Sequence, residues 1–302
     1  MGQRGLSAQG AEMTTRLALG TVQFGQPYGI ANVSGQVGVA EVRAILQRAW
    51  EAGLRALDTA IAYGESEACL GRVGVTGWRV ITKLPAVPPD VSNVHGWVVD
   101  QITGSLQRLG ILQLDGVLLH KSSDLLGPKG RELAAACDAL RSSGSSRAIG
   151  VSIYDTAELD ALWQRWRPDI VQAPCNVLDR RLIHSGWLER LHQHGIRVHV
   201  RSVFLQGLLL MPAERRPAHF AAWTQILDRW LSWCAQQRST PLECALAFAR
   251  SLSAVEHVIV GVDSLTHLEQ ILRATSADVG VPPKDLFSED RELLEPSRWK
   301  VA

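Results

Sequence analysis

Short apolar runs alternate along the chain with longer stretches in which apolar residues recur three and four positions apart. Runs of the first kind suit strands buried on both faces, and stretches of the second suit amphipathic helices. Strands are predicted at residues 17–19, 56–58, 79–82, 116–119, 148–151, 170–172, 197–200 and 257–260. Helices are predicted between them, at 39–52, 98–109, 131–141, 157–166, 183–194 and 242–251. Asp155 before Thr156 and Asp160, and Ser264 before the run ending at Ile271, carry the polar side chains that start helices. Repeated βα units imply a parallel sheet. Eight of them, with no GxGxxG turn, predict an α/β fold of the closed (β/α)8 TIM-barrel type over a doubly wound sheet.

The 302 residues fit one such barrel, since no long linker or low-complexity stretch breaks the rhythm. The expected organisation is a loose leader at 1–15, with Met13 an alternative start, followed by a single-domain barrel with a C-terminal tail at 16–302. Lys and Arg total 31 against 30 for Asp and Glu, which gives no reason to expect nucleic acid or an anionic membrane as partner. A small molecule is the expected partner, and the chain itself is read as a monomer or small homo-oligomer. Five cysteines without a CxxC pair read as reduced thiols. Neither a signal-length apolar core near the N-terminus nor a run of about 18 apolar residues is present. These features together predict a cytoplasmic protein.

In a barrel of this type the chemistry lies where strands end and the next loops begin. The second predicted strand runs into Asp58-Thr59-Ala60-Ile61-Ala62-Tyr63-Gly64, the third into Thr82-Lys83, and the fourth into His120-Lys121. Three consecutive strands therefore bring Asp58, Tyr63, Lys83 and His120 to one mouth. Singly each is ordinary: the Asp a cap, the Lys a solvated end, the Tyr a packing residue. Jointly they suit proton donation. A phenol ionises at about pH 10, so donation near neutrality needs a cation beside it that favours the phenolate. Lys83 supplies that cation, and Asp58 keeps it charged and oriented. His120 positions the carbonyl oxygen or shares the proton, as a neutral imidazole or through a short relay.

These stretches resemble the aldo-keto reductases: DTAIAYGESEACLG at 58–71, TK at 82–83 and LH at 119–120 match that family's signatures in order. Gly20-Thr21-Val22-Gln23-Phe24-Gly25, Ile149-Gly150-Val151-Ser152 and Gln172-Ala173-Pro174-Cys175-Asn176 are similar to its first, fifth and sixth units. The resemblance covers roughly residues 17 to 275. It implies reduction of an aldehyde or ketone, sugar-derived or other, with hydride from nicotinamide C4 and a proton from Tyr63. Asp58, Tyr63, Lys83 and His120 match the catalytic positions, and Ser152 and Gln172 match contacts to the nicotinamide carboxamide. The implied cofactor set is completed by Gly20, Thr21 and Asp58, by Arg201, Ser202, Phe204, Gln206 and Gly207, and by Gly261, Ser264, His267 and Gln270. It implies no metal.

The chain departs from the family pattern in places. Ile153 stands where an Asn often follows the Ser, and Arg201 where an aromatic residue commonly stacks beneath the nicotinamide; a guanidinium plane can stack instead. His267 occupies the place of a frequent Arg, and Gln270 and Ile271 that of a Glu-Asn pair. The family favours NADP(H), met by a Lys or Arg near the last helix. Here the phosphate is left to the helix N-terminus at Ser264, while Asp263 suits the ribose 2′-hydroxyl of NAD(H). NADP(H) is the expectation, with NAD(H) the alternative and shallow discrimination between them.

Other features have plainer readings. Trp223, Trp230 and Trp233 lie at helical spacing and read as packing residues. Glu214-Arg215-Arg216 reads as a solvated loop. His184, His192, His194 and His199 cluster in sequence, but His192 and His194 point to different helix faces, and no metal site is expected there. A second functional class, a nucleotide-binding sensor or regulatory barrel like the resembling potassium-channel beta subunits, is distinguished from a reductase by negligible turnover despite tight cofactor binding.

Overall fold

The computed structural model describes residues 14–299. Met13 and most of the leader read for residues 1–15 lie outside the described residues. Eight parallel strands close into a barrel in sequential order: β1 Leu17–Gly20, β2 Ala56–Asp58, β3 Arg79–Leu84, β4 Gly116–Leu119, β5 Ile149–Ser152, β6 Ile170–Pro174, β7 Arg197–Arg201 and β8 His257–Gly261. β1 pairs with both β2 and β8, which completes the ring.

Alternation along each strand explains why apolar strands deliver a polar site. Every second side chain points to the same face, so Arg79, Ile81 and Lys83 share one face of β3, and Arg197, His199 and Arg201 share one face of β7. The barrel interior is thereby layered. At the end where the strands begin, Arg79, Arg197, His199 and His257 gather around Glu256. The middle is apolar, with Ile81, Leu118 and Ile170 in one cluster and Ala18, Ala56 and Ile259 in another. Gly150 admits this layer, because a Cβ there would come within 2.8 Å of Leu118 Cδ2 and 2.1 Å of the Ile170 carbonyl oxygen. Lys83, Asp58, Gln172 and Arg201 then fall at the opposite end.

Outside the strands, the helices bury their apolar stripes against the barrel. Val39–Glu51 buries Val42, Ile45, Leu46 and Ala49. The helix predicted at 98–109 starts earlier, at Val94–Leu109, because Asn93 caps it by accepting a 3.0 Å bond from Gly96 N. The single helix predicted at 183–194 is two, Arg181–His184 and Trp187–Gln193, broken at Gly186, whose φ of 75° is left-handed. The helix predicted at 157–166 ends at Leu162, and β5 runs one residue later than predicted. Trp230 and Trp233 are buried and stack at 5.7 Å, as their packing reading requires. No helix among the described residues is long and apolar enough to cross a membrane.

Candidate active site

The ends of the strands open into a cleft of about 1150 Å³. Its floor is built by ladder register: Asp58 at the end of β2 pairs with Gly20 of β1 and Ile81 of β3, and Lys83 pairs with Leu118 of β4. Lys83 and Asp58 are almost fully buried. The Lys83 ammonium donates 2.6 Å to Asp58 Oδ2 and 2.9 Å to the Thr59 carbonyl. Burial alone pulls an ammonium toward its neutral form, but the Asp58 carboxylate and the Tyr63 phenol outweigh it, and Lys83 titrates above the usual lysine range. The pair thus favours its charged form.

Tyr63 is presented by the loop after β2. The turn closes with Tyr63 N donating to the Ala60 carbonyl at 3.0 Å, and the chain then passes through Gly64, whose φ of 52° is left-handed. This turn lies against Gly25, where a Cβ would sit 1.8 Å from the Tyr63 carbonyl oxygen. Only glycine permits that approach, and it holds the Tyr63 ring with its centroid 5.0 Å from Lys83 Nζ. His120 follows β4, its N–H donating to the Leu84 carbonyl at 2.9 Å. Its ring meets Tyr63 edge to face at 5.9 Å. Burial lowers the His120 imidazole to about 4, with the charges of Lys83 and Arg201 acting in the same direction. His120 is therefore neutral at physiological pH.

The four catalytic residues read from the sequence line this one cleft, and so do all the cofactor residues except Ser264. Ser264 instead caps the helix Leu265–Ala274, accepting a 3.2 Å bond from His267 N. Glu41 takes a second donor at that helix start, accepting from Leu265 N at 2.7 Å. The helix N-terminus expected to receive a phosphate thus already faces a carboxylate, which sequence reasoning missed.

Gln172 and Ser152 are bonded within the cleft floor itself. Gln172 Nε2 donates 2.6 Å to Asp58 Oδ1, and Gln172 Oε1 accepts from Ser152 Oγ at 3.5 Å. A chain of bonds from Ser152 through Gln172 and Asp58 to Lys83 crosses the floor.

Arg201 leans on the aromatic face of Tyr154, 4.4 Å from its centroid, and donates 2.9 Å to the Ile153 carbonyl and 3.3 Å to Ser202 Oγ. The loop it opens is strained, with Ser202, Leu205 and Gln206 held at positive φ. Gln206 Nε2 donates 3.1 Å to the Tyr28 hydroxyl, joining this loop to the one after β1. Tyr28 and Tyr154 at the cleft were not singled out from the sequence; their exposure as large aromatic residues (41% and 36%) is a structural signal. Arg215, read as part of a solvated loop, is exposed but lines the cleft. His199, read among the scattered histidines, joins Glu256 and His257 at the far end of the barrel. There Arg197 donates 2.6 Å to Glu256 and Arg79 bonds His257 at 2.9 Å.

A family model described as the Aldo/keto reductase family matches residues 16–280. The chain belongs to that family. Its members are oxidoreductases acting on carbonyl groups with nicotinamide cofactors. Among curated relatives, the NADH-specific methylglyoxal reductase of Escherichia coli (strain K12) is 28% identical over 65% of this chain and 64% of its own length. A second methylglyoxal reductase of that bacterium is 34% identical over 75% of this chain and 83% of its own. The 2,5-diketo-D-gluconic acid reductase B of a Corynebacterium is 31% identical over 72% and 78%. Among solved structures, the holo form of an aldo-keto reductase of Bacillus halodurans superposes with a TM-score of 0.71, covering 88% of each chain at 20% identity. At that identity the likeness concerns the fold.

Proposed function

We propose that this chain reduces an aldehyde or ketone to the alcohol, with Tyr63 as the proton donor. The observation that carries the reading is the buried Lys83–Asp58 pair, fixed at the cleft floor beside Tyr63 and neutral His120. The cleft fits a dinucleotide in size, and Gln23 Oε1 on its wall is buried without a donor among the described residues, as an acceptor for a ligand N–H or O–H is. When bound there, a nicotinamide cofactor supplies the hydride. The rest is work for the chain. Tyr63 gives its hydroxyl proton to the carbonyl oxygen, and Lys83 stabilises the negative charge left on the phenol oxygen. His120, uncharged, donates a ring N–H that orients the carbonyl. Asp58, itself fixed by Gln172, holds Lys83 against rotation. Ser152 and Gln172 line the cleft, which supports the carboxamide contacts that the resemblance implies.

For cofactor choice, the surroundings of Ser264 support NAD(H) over NADP(H). Glu41 occupies the helix N-terminus and Asp263 stands beside His267 at 3.9 Å. Arg273, which follows on the same helix, is bonded to Glu269. A 2′-phosphate brings nearly two negative charges to a place already supplied with carboxylates. Two relatives named for methylglyoxal and one for diketogluconic acid support a small polar carbonyl substrate. Five free, buried thiols suit a reducing compartment such as the cytoplasm.

The test is a panel of aldehydes and ketones followed by nicotinamide absorbance with NADH and with NADPH. Turnover that collapses in Tyr63→Phe supports the reading. Tight cofactor binding with negligible turnover across the panel would instead favour the sensor class.

A further inference from the structure

The charges at the catalytic end of the cleft do not balance. Lys83 is neutralised by Asp58, and His120 is uncharged. Arg201 is not neutralised: its partners among the described residues are the Ile153 carbonyl, the Ser202 hydroxyl and the Tyr154 ring, none of them an acid. The guanidinium is half-buried, and these contacts hold it by two of its N–H groups and one face. The side chain lines the cleft, and its Nε, which has no hydrogen-bond partner among the described residues, is not buried. Arg201 lines the same cleft as His120 and Tyr28, and its charge acts on both.

A fixed, half-desolvated guanidinium with open donors binds anions best, and its planar fork matches a carboxylate. A phosphate monoester, with nearly two charges, calls for a second cation. Lys83 is committed to Asp58, and Arg215, a further cation lining the cleft, is solvent-exposed. We propose that Arg201 is a specificity-determining residue that selects carbonyl substrates bearing a carboxylate a short distance from the carbonyl carbon. The carboxylate lies on the Arg201 fork while the carbonyl oxygen meets Tyr63 and His120, and the exposed rings of Tyr28 and Tyr154 flank the connecting atoms. This assignment rests on the reductase reading above and deepens it, and it moves Arg201 from the cofactor set implied by the resemblance to the substrate.

The test compares 4-formylbenzoate with 4-formylbenzamide, two aldehydes of one shape that differ in charge, in the parent, Arg201→Met and Arg201→Lys. The parent is expected to prefer the carboxylate in kcat/KM by on the order of tenfold to a hundredfold, the range of a hydrogen bond to a charged group, expressed mainly in KM. Arg201→Met brings the ratio to near one whatever happens to the absolute rates, and Arg201→Lys keeps part of it. Calorimetric titration of the protein with oxidised cofactor, using the unreactive pair 4-carbamoylbenzoate and terephthalamide, reads the same preference without turnover. If neither aldehyde is reduced while the acid still binds in preference and loses that preference in Arg201→Met, the reductase reading fails and the anion site stands. A parent ratio near one in both assays overturns the proposal. So does an Arg201→Met variant that keeps the ratio while weakening NADH, because Arg201 would then serve the cofactor.

Discussion

Gln172 reaches across the barrel mouth to donate a 2.6 Å hydrogen bond to Asp58 Oδ1, the carboxylate whose other oxygen holds Lys83 at the same distance. Three residues from β2, β3 and β6 thus act as one unit, and their substitutions should not add. Lys83→Met is expected to lower kcat by roughly 100-fold or more, as loss of a general-acid component does. It also strands a buried carboxylate, at about 3–5 kcal/mol of stability. Asp58→Asn should cost less activity than Lys83→Met, and Gln172→Leu less again. Urea midpoints and steady-state rates of Lys83→Met with and without Gln172→Leu check this: losses in kcat that multiply fully would mean that Gln172 does not work through the pair.

The second prediction concerns the pH profile. Because His120 is held down to about 4, it stays neutral across the range in which an ordinary histidine, at about 6.5, gains its proton. The kcat/KM profile should therefore be flat on its acid side from pH 8 down to about 5. An acid limb near pH 6.5 that disappears in His120→Gln would show the imidazole to be ordinary and the neutral-donor assignment wrong.

The far end of the barrel sets acid stability. Burial, with His199 and Arg79 adding to it, lowers His257 to about 3, whereas the unfolded imidazole protonates at about 6.5. Between those values the unfolded chain binds more protons, so stability is full above pH 6.5 and falls as pH falls toward 3, with a slope approaching 1.4 kcal/mol per pH unit. Glu256 acts in the same sense at lower pH. Burial opposes its charge, but bonds from His199 and Arg197 hold its carboxyl well below the usual range. Urea midpoints measured from pH 7 to pH 4 should decline, and the decline should be shallower in His257→Gln. An equal slope in that variant would remove His257 from the account.

Much of the catalytic group was legible because strand ends announce themselves. An apolar run followed at once by Asp58, Lys83 or His120 needs only the barrel to bring the three together, and eight such runs imply the barrel. The bonds that tune the site were not legible. Gln172 meets Asp58 from 114 positions away, and Glu41 reaches Leu265 N across 224. Both contacts depend on ring closure and on helix placement, about which local periodicity says nothing. The break at Gly186 was missed because apolar spacing continues through it, although the left-handed φ there ends the helix. Tyr28 lies in an irregular loop and Arg215 ends a three-residue 3₁₀ turn, and neither carries a periodicity to read.

The expected cofactor preference rests on one such long-range contact. With Glu41 on the helix start and Asp263 beside it, NADH is expected to bind more tightly than NADPH by on the order of tenfold, about 1.4 kcal/mol. Glu41→Gln should narrow the gap, and Asp263→Arg should reverse it by supplying a phosphate partner. Quenching of tryptophan fluorescence by each reduced cofactor measures this. A preference for NADPH of about a thousandfold, near 4 kcal/mol, would assign the phosphate to another cation, with Arg215 the first to examine.

The central claim is that Tyr63 gives the proton from a floor set by Lys83 and Asp58, and it is tested most directly by Tyr63→Phe, which removes one oxygen and leaves the ring in place. The measurement pairs single-turnover reduction of a good aldehyde with the dissociation constant of the reduced cofactor. The account predicts a fall in the reduction rate of at least about 100-fold with cofactor affinity nearly unchanged. Reduction at close to the parent rate would contradict it.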